Sequence, residues 1–213
     1  MIKNLEFQCQ QFLQGLKTGD AAHNINHIER VVKLATYRCK QEEGKLEVVV
    51  PAAWLHDCVS LPKNHPQRRL ASSLAADKAI DFLKSIAYPA EYLSEIHHAI
   101  EAHSYSANIK PISLEAKIVQ DADRIDALGA IGISRCIQVG TGLQRPLYHR
   151  DDPMCESRVP DDSQYTIDHF FTKLLNIADT VHTTAAKREA EKRSQFMRAY
   201  LAQLHHELAP PNK

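Results

Sequence analysis

Apolar positions recur at helical spacing along most of the chain, and strict alternation never lasts more than a few residues. Leu5, Phe12, Leu13 and Leu16 predict a first helix, which Gly19-Asp20 ends. From His27 the positions Ile28, Val31, Val32, Leu34 and Ala35 make an apolar face that lasts to Cys39. A third helix is expected over Val48 to Asp57, with Pro51 tolerable in a first turn. Its beginning, Glu47–Val50, is strand-like by propensity alone, but the continuation Ala52-Ala53-Trp54-Leu55 favours helix. Pro62 and Pro66 bracket a loop over Leu61 to Gln67. A fourth helix covers Arg68 to Ser85 with Leu70, Leu74, Ile80 and Leu83 inward. Pro89 opens a fifth that reaches His103, and Ile112 or Ser113 starts a sixth that passes Val119 and Asp123.

The stretch 140–164 breaks this rhythm. It holds Pro146, Pro153, Pro160 and four aspartates with little periodicity, which predicts a long surface loop or a lid. Helical pattern returns from Thr166 to Leu208, with Phe170, Leu174, Ile177, Val181, Phe196, Leu201 and Leu204 as its apolar positions. The expected fold is all-α: one compact multi-helix bundle over 1–213, with the additional C-terminal helices at 165–209 packed on the core.

Composition narrows the function classes. The chain has 213 residues, enough to bury a core without cross-links. Lys plus Arg and Asp plus Glu are both 26, so no net field draws the protein to nucleic acid or an anionic membrane. The mixed-sign run Lys187 to Arg193 reads as a solvated helix face with i to i+4 pairs. The longest uncharged apolar run, Val48 to Leu55, falls far short of the ~20 residues a spanning helix needs. No signal-peptide pattern opens the sequence, and a cytoplasmic location is expected. Five scattered cysteines with no Cys-x-x-Cys pair argue for free thiols. Neither Gly-x-Ser-x-Gly nor a Gly-x-x-x-x-Gly-Lys-Ser/Thr loop occurs.

Twelve histidines are the informative excess. Three helices place a metal-competent side chain in line with an apolar face. His27 lies four before Val31 and seven before Leu34, and His56 follows Val49, Ala52 and Ala53 at helical offsets. Asp123 follows Ala116 and Val119 in the same way. A buried carboxylate without a partner costs several kcal/mol, so Asp123 must be paired, hydrogen-bonded or coordinated. A lone inward histidine is usually a satisfied core residue. Three inward polar positions on three helices leave core packing and metal ligation about evenly matched.

The ordered string His27-x-x-Arg30-Val31, Trp54-Leu55-His56-Asp57, Asp121-Ala122-Asp123-Arg124-Ile125-Asp126 resembles the HD superfamily of metal-dependent phosphohydrolases, whose pattern is H…HD…D in an all-helical core. The motifs span about residues 20 to 135. The phrases HDCVSLPKNHP, AIEAHS and DADRIDALGAIGI are similar to small stand-alone bacterial proteins of the YedJ/YpgQ type and extend the likeness across most of the chain. The resemblance implies an HD-domain bundle with a metal-site core at 20–135. His27, His56, Asp57 and Asp123 would be the ligands, and Arg30 would be a buried ion-pair partner or orient them. Two imidazoles and two carboxylates with vacant positions suit one divalent ion, Mn²⁺ first, then Mg²⁺, Fe²⁺, Co²⁺, Ni²⁺ or Zn²⁺.

The implied reaction is attack of a metal-activated water on phosphorus, with Asp57 in the catalytic set. The implied substrate is a small phosphorylated molecule, a (deoxy)nucleotide, with a nucleoside triphosphate releasing pyrophosphate as its most specific form. His98 or His103 would stand near the phosphate as acid or hydrogen-bond donor. His97, between Leu93 and Ile100, reads as a core residue. Lys63, Arg69 and Asp126 are candidates for substrate contact, with Lys63 first among the basic loop residues. For Asp126 an ion pair with Arg30 or Arg124 is an equal alternative. Competing functions are a phosphomonoesterase, a cyclic phosphodiesterase, or a non-catalytic metal- or nucleotide-binding module. The amphipathic C-terminal helices offer a face for a homodimer.

Overall fold

The computed structural model describes residues 2–16, 25–61 and 65–209. The expected helix stop at Gly19-Asp20, and Pro62 and Lys63 of the basic loop, lie outside these residues. The described residues are all-α, with no strand, so Glu47–Val50 is helical as its continuation suggested.

The helices are α1 (Ile2–Gln14), α2 (Ile25–Gln41), α3 (Leu46–Leu55), α4 (Ala71–Ser85), α5 (Leu93–His103), α6 (Leu114–Asp126), α7 (Gly129–Gly142), α8 (Asp168–Thr172) and α9 (Thr184–Leu208). Short 3₁₀ turns lead into α4 and α5 at Arg68–Leu70 and Ala90–Tyr92, and a longer one, Leu174–Thr180, follows α8. Two compact units result, residues 1–123 and 124–213, and the boundary falls inside α6.

In the first unit α3 is the central rod. Every residue from Val48 to Leu55 is buried, and α3 packs against α1, α2 and α5. A helix apolar on all sides is what a fully enclosed position demands. Pro51 sits inside α3, not in its first turn, so it withholds the N–H that the Glu47 carbonyl would accept. Tyr88 repairs the loss: its hydroxyl donates to Glu47 O at 2.7 Å. Tyr88→Phe should therefore cost about 1–2 kcal/mol, by leaving that carbonyl unpaired. Urea unfolding of the variant beside the parent checks this.

The inward face of α4 differs from the expected one. Leu70 and Leu74 are 51% and 41% exposed, while Ser72, Ala75, Ala76, Ala79 and Leu83 are buried. Small residues on this face let α4 lie close against α5. Ser113 starts α6 as a cap, its hydroxyl accepting the Ala116 N–H at 3.0 Å.

In the second unit Phe170, Leu174, Ile177 and Val181 are buried as expected, with Met197 and Leu201 of α9. Phe170 stacks on Tyr200 at a centroid distance of 6.2 Å. Phe196 is 53% exposed, contrary to the sequence expectation, because it lies one residue off the Ala186, Ala190, Ser194, Met197 stripe that faces inward. The sequence pattern left 129–139 without an element and put 140–142 in the long loop; α7 covers both. Gly129 opens α7 at φ +69°, the left-handed region that favours glycine. At Gly140 an added Cβ would stand 2.1 Å from the Thr166 hydroxyl, so only glycine admits that approach.

The segment 143–167 is irregular but internally pinned. Asp152 accepts the backbone N–H groups of Glu156, Ser157 and Arg158 and the Ser157 hydroxyl. Arg158 makes a two-pronged pair with the fully buried Asp168, at 2.5 and 2.7 Å, and its guanidinium lies over the Tyr165 ring.

Candidate metal centre

Four helices of the first unit deliver one side-chain cluster. His27 comes from the first turn of α2, Asp123 from the last part of α6, and His103 from the final residue of α5. His56 and Asp57 come from the point where α3 ends. Neighbours on a continuous helix point about 100° apart. Because the chain leaves the helix here, His56 and Asp57 both reach the same cluster.

The distances are short and mutually consistent. His27 Nε2 lies 3.4 Å from His56 Nε2, 3.6 Å from Asp57 Oδ2 and 3.4 Å from Asp123 Oδ1. His56 Nε2 lies 3.5 Å from Asp57 Oδ2 and 3.9 Å from Asp123 Oδ1. Ligand atoms about 2.1 Å from one ion stand about 3.0 Å apart at right angles and about 3.4 Å apart at the tetrahedral angle. The observed separations are close to that polyhedral edge. Two nitrogens and two oxygens form the donor set, which fits a divalent cation.

The electrostatics favour the ligand forms. His56 Nδ1 donates to Ala53 O at 2.8 Å, so Nε2 turns a lone pair toward the carboxylates. Burial pushes the His56 imidazolium down to about 4, with Asp57 opposing, so the ring is neutral at pH 7. Burial alone would raise Asp123, but the hydrogen bond and charge of His27 hold its carboxyl well below the usual range. His56 is thus in the neutral form a metal requires, whereas His27 would give up the Nε2 proton it shares with Asp123 when an ion binds.

The cluster has a floor and a mouth. The two imidazoles are fully enclosed, whereas the side chains of Asp57 and Asp123 are 15% and 25% exposed. A ligand would therefore approach over the carboxylates. His103, itself buried, places its Nε2 3.5 Å from Asp57 Oδ1. His103 Nδ1 donates to Ile100 O at 2.5 Å, which fixes the ring's orientation. Burial lowers the His103 pKa, but the Asp57 hydrogen bond and charge outweigh it, and the net shift is upward.

The other candidates fall elsewhere. His98 Nε2 accepts the Ile112 N–H at 3.1 Å and its Nδ1 faces Glu101 at 3.4 Å, so both ring nitrogens are engaged away from the cluster. His97 is not a core residue; it pairs with Asp77 at 3.0 Å on the surface. Asp126 is buried and pairs with Arg135 at 2.9 Å within the second unit. Arg30 is half-buried, and Arg69 is exposed on the 3₁₀ turn before α4. Its neighbour Arg68 ties back to Leu61 O at 2.5 Å, bracing the end of the basic loop. Sequence reasoning did not find Gln120, a buried α6 residue that reaches the end of α5.

Known proteins resemble this chain over most of its length. The HD domain model matches residues 24–128. YpgQ of Bacillus subtilis, an uncharacterized protein, is 31% identical over 206 residues, covering 94% of this chain and 92% of YpgQ. The structure of YpgQ in complex with ADP superimposes with a TM-score of 0.71, over 99% of this chain and 98% of that one, at 31% identity. An HD-superfamily hydrolase from Bacillus thuringiensis gives 0.73 over 96% of both chains, again at 31% identity. A Lactobacillus plantarum protein gives 0.75 over 96% of both, at 28% identity. The chain belongs to the HD-domain superfamily.

Proposed function

We propose that the protein is a metal-dependent phosphohydrolase acting on a small nucleotide, with a nucleoside triphosphate cleaved to pyrophosphate and the nucleoside monophosphate. The observation that carries this reading is the convergence of His27, His56 and Asp57 at separations of 3.4 to 3.6 Å, with Asp123 Oδ1 3.4 and 3.9 Å from the two imidazoles. These four side chains would hold one divalent ion, with Mn²⁺ proposed ahead of Mg²⁺, Fe²⁺, Co²⁺, Ni²⁺ or Zn²⁺ for a mixed N and O donor set. When bound, such an ion acidifies water and polarises a phosphoryl oxygen.

The protein's own groups do the rest. Asp57 engages the centre through Oδ2 and orients His103 through Oδ1. His103 presents its Nε2 as hydrogen-bond and proton donor to the departing oxygen, its ring held by Ile100 O. Lys63 and Arg69, basic residues that follow His56-Asp57 closely in the sequence, would meet the phosphate charge. Nucleotide as substrate class is supported by the ADP complex of YpgQ and by the likeness of the two chains.

The test is release of phosphate and pyrophosphate from a panel of nucleoside triphosphates, monophosphates, cyclic nucleotides and simple phosphoesters. Each is assayed with Mn²⁺, Mg²⁺, Co²⁺ and Ni²⁺ after chelator treatment. Pyrophosphate from triphosphates, with Mn²⁺ fastest, is expected. Orthophosphate from monoesters, or ring opening of a cyclic substrate, would replace the substrate assignment. A folded, metal-loaded protein that binds nucleotides and cleaves none of the panel would be a binding module.

A further inference from the structure

We infer that Gln120 is a positioning residue for His103, an inference that rests on the role just proposed for that histidine. His103 is the last residue of α5, and Ser104 after it is extended, at φ −69° and ψ 126°. The final carbonyls of a helix have no donor within the helix, and helix ends fray unless something holds them. A ring at such an end is placed only as well as that last turn is placed.

Two side-chain bonds secure this turn. His103 Nδ1 donates to Ile100 O, inside the turn itself. Gln120 Nε2 donates to Ala102 O at 2.6 Å from another helix. Ala102 is fully buried and Gln120 is 1% exposed, so water cannot take over that bond. Gln120 lies three residues before Asp123 on α6, and residues so spaced share a helix face. One face of α6 thus carries both a ligand of the centre and the pin that holds the end of α5. The pin ties the distance between His103 and the cluster to the helix that supplies Asp123. An apolar side chain there would fill the space and lose that register.

Gln120→Met keeps the length and removes the donor. Displacement of a catalytic group by about 1 Å costs up to 10²-fold, so kcat should fall at least about tenfold while KM and metal content stay within twofold. His103→Ala provides the partner for a double-mutant cycle. If Gln120 acts through His103, Gln120→Met changes kcat by less than twofold once His103 is absent. A full tenfold effect in that background would overturn the inference and leave a general packing role. Should Gln120→Met fail to fold, Gln120→Asn, one methylene too short for the bond, takes its place.

A second readout needs no turnover. In metal-free full-length protein, imidazole nitrogen NMR should show one sharp set of His103 ring signals, as expected for a ring held in one orientation by Ile100 O. Gln120→Met should broaden or split that set, and an unchanged, sharp set would contradict the inference. If His103→Ala alone leaves kcat unchanged, the proton-donor role is what fails, and the NMR result still decides whether Gln120 sets the ring.

Discussion

Asp57→Ala should empty the centre and lower hydrolysis by at least about 10³-fold. Asp57 uses its two carboxylate oxygens to bridge the two parts of the site. Its Oδ2 stands 3.6 and 3.5 Å from His27 and His56, and its Oδ1 stands 3.5 Å from His103. Removing it takes away one of four ligands and the acceptor that orients His103. Charge stabilisation by an active-site divalent ion is worth several kcal/mol, and each 1.36 kcal/mol is tenfold in rate. Three decades is therefore the smaller end of the expected loss. The fold should survive, because Asp57 is partly exposed and the α3 core before it is untouched. Elemental analysis of protein purified without chelators, beside initial rates, checks both effects. A variant that keeps its metal and stays within tenfold of the parent would remove Asp57 from the centre.

The largest stability effect is expected far along the chain, at Asp168→Ala. Asp168 is fully buried and accepts two bonds from Arg158, one from the Asp161 N–H at 2.6 Å and one from the Cys155 thiol. Breaking a buried pair on one side typically costs about 3–5 kcal/mol, because the surviving charge is left uncompensated. The pair also organises 143–167, since Arg158 binds Asp152 O and overlies Tyr165. Denaturant unfolding should show the loss. Replacing both partners with apolar residues, Asp168→Leu with Arg158→Met, should recover much of it.

The pH dependence has a definite sign. Burial would raise the Asp168 carboxyl, but Arg158 and the Asp161 N–H outweigh it and hold it below the ordinary 3.8. A group depressed on folding contributes stability that is present above its unfolded pKa and lost as pH falls through the folded one. The parent should thus lose stability in that acid window, and Asp168→Ala should lose less there.

The helices were legible where apolar residues contrast with polar ones at a period near 3.6. Ile28, Val31, Val32 and Ala35 predict α2, and their burial matches. That contrast fails on α4, whose inward face is mostly alanine, so Leu70 and Leu74 looked like core and are not. It fails again at α7, where Gly129 and Gly140 suit close approach and a left-handed φ, not helix propensity. In the site, His27, His56 and Asp123 were readable as polar residues on apolar stripes. The choice between His98 and His103 was not, because both sit on α5 and the difference is where that helix stops. Gln120 carried no signal beyond standing three before Asp123. The long-range bonds that fix 143–167, from Arg158 to Asp168 above all, leave no periodicity to read.

The most direct measurement of the central claim is ³¹P NMR of a nucleoside triphosphate incubated with chelator-treated protein before and after Mn²⁺ is restored. The account predicts no turnover without metal, and pyrophosphate with nucleoside monophosphate once Mn²⁺ is added. Hydrolysis at an equal rate in protein shown by elemental analysis to be metal-free would contradict it.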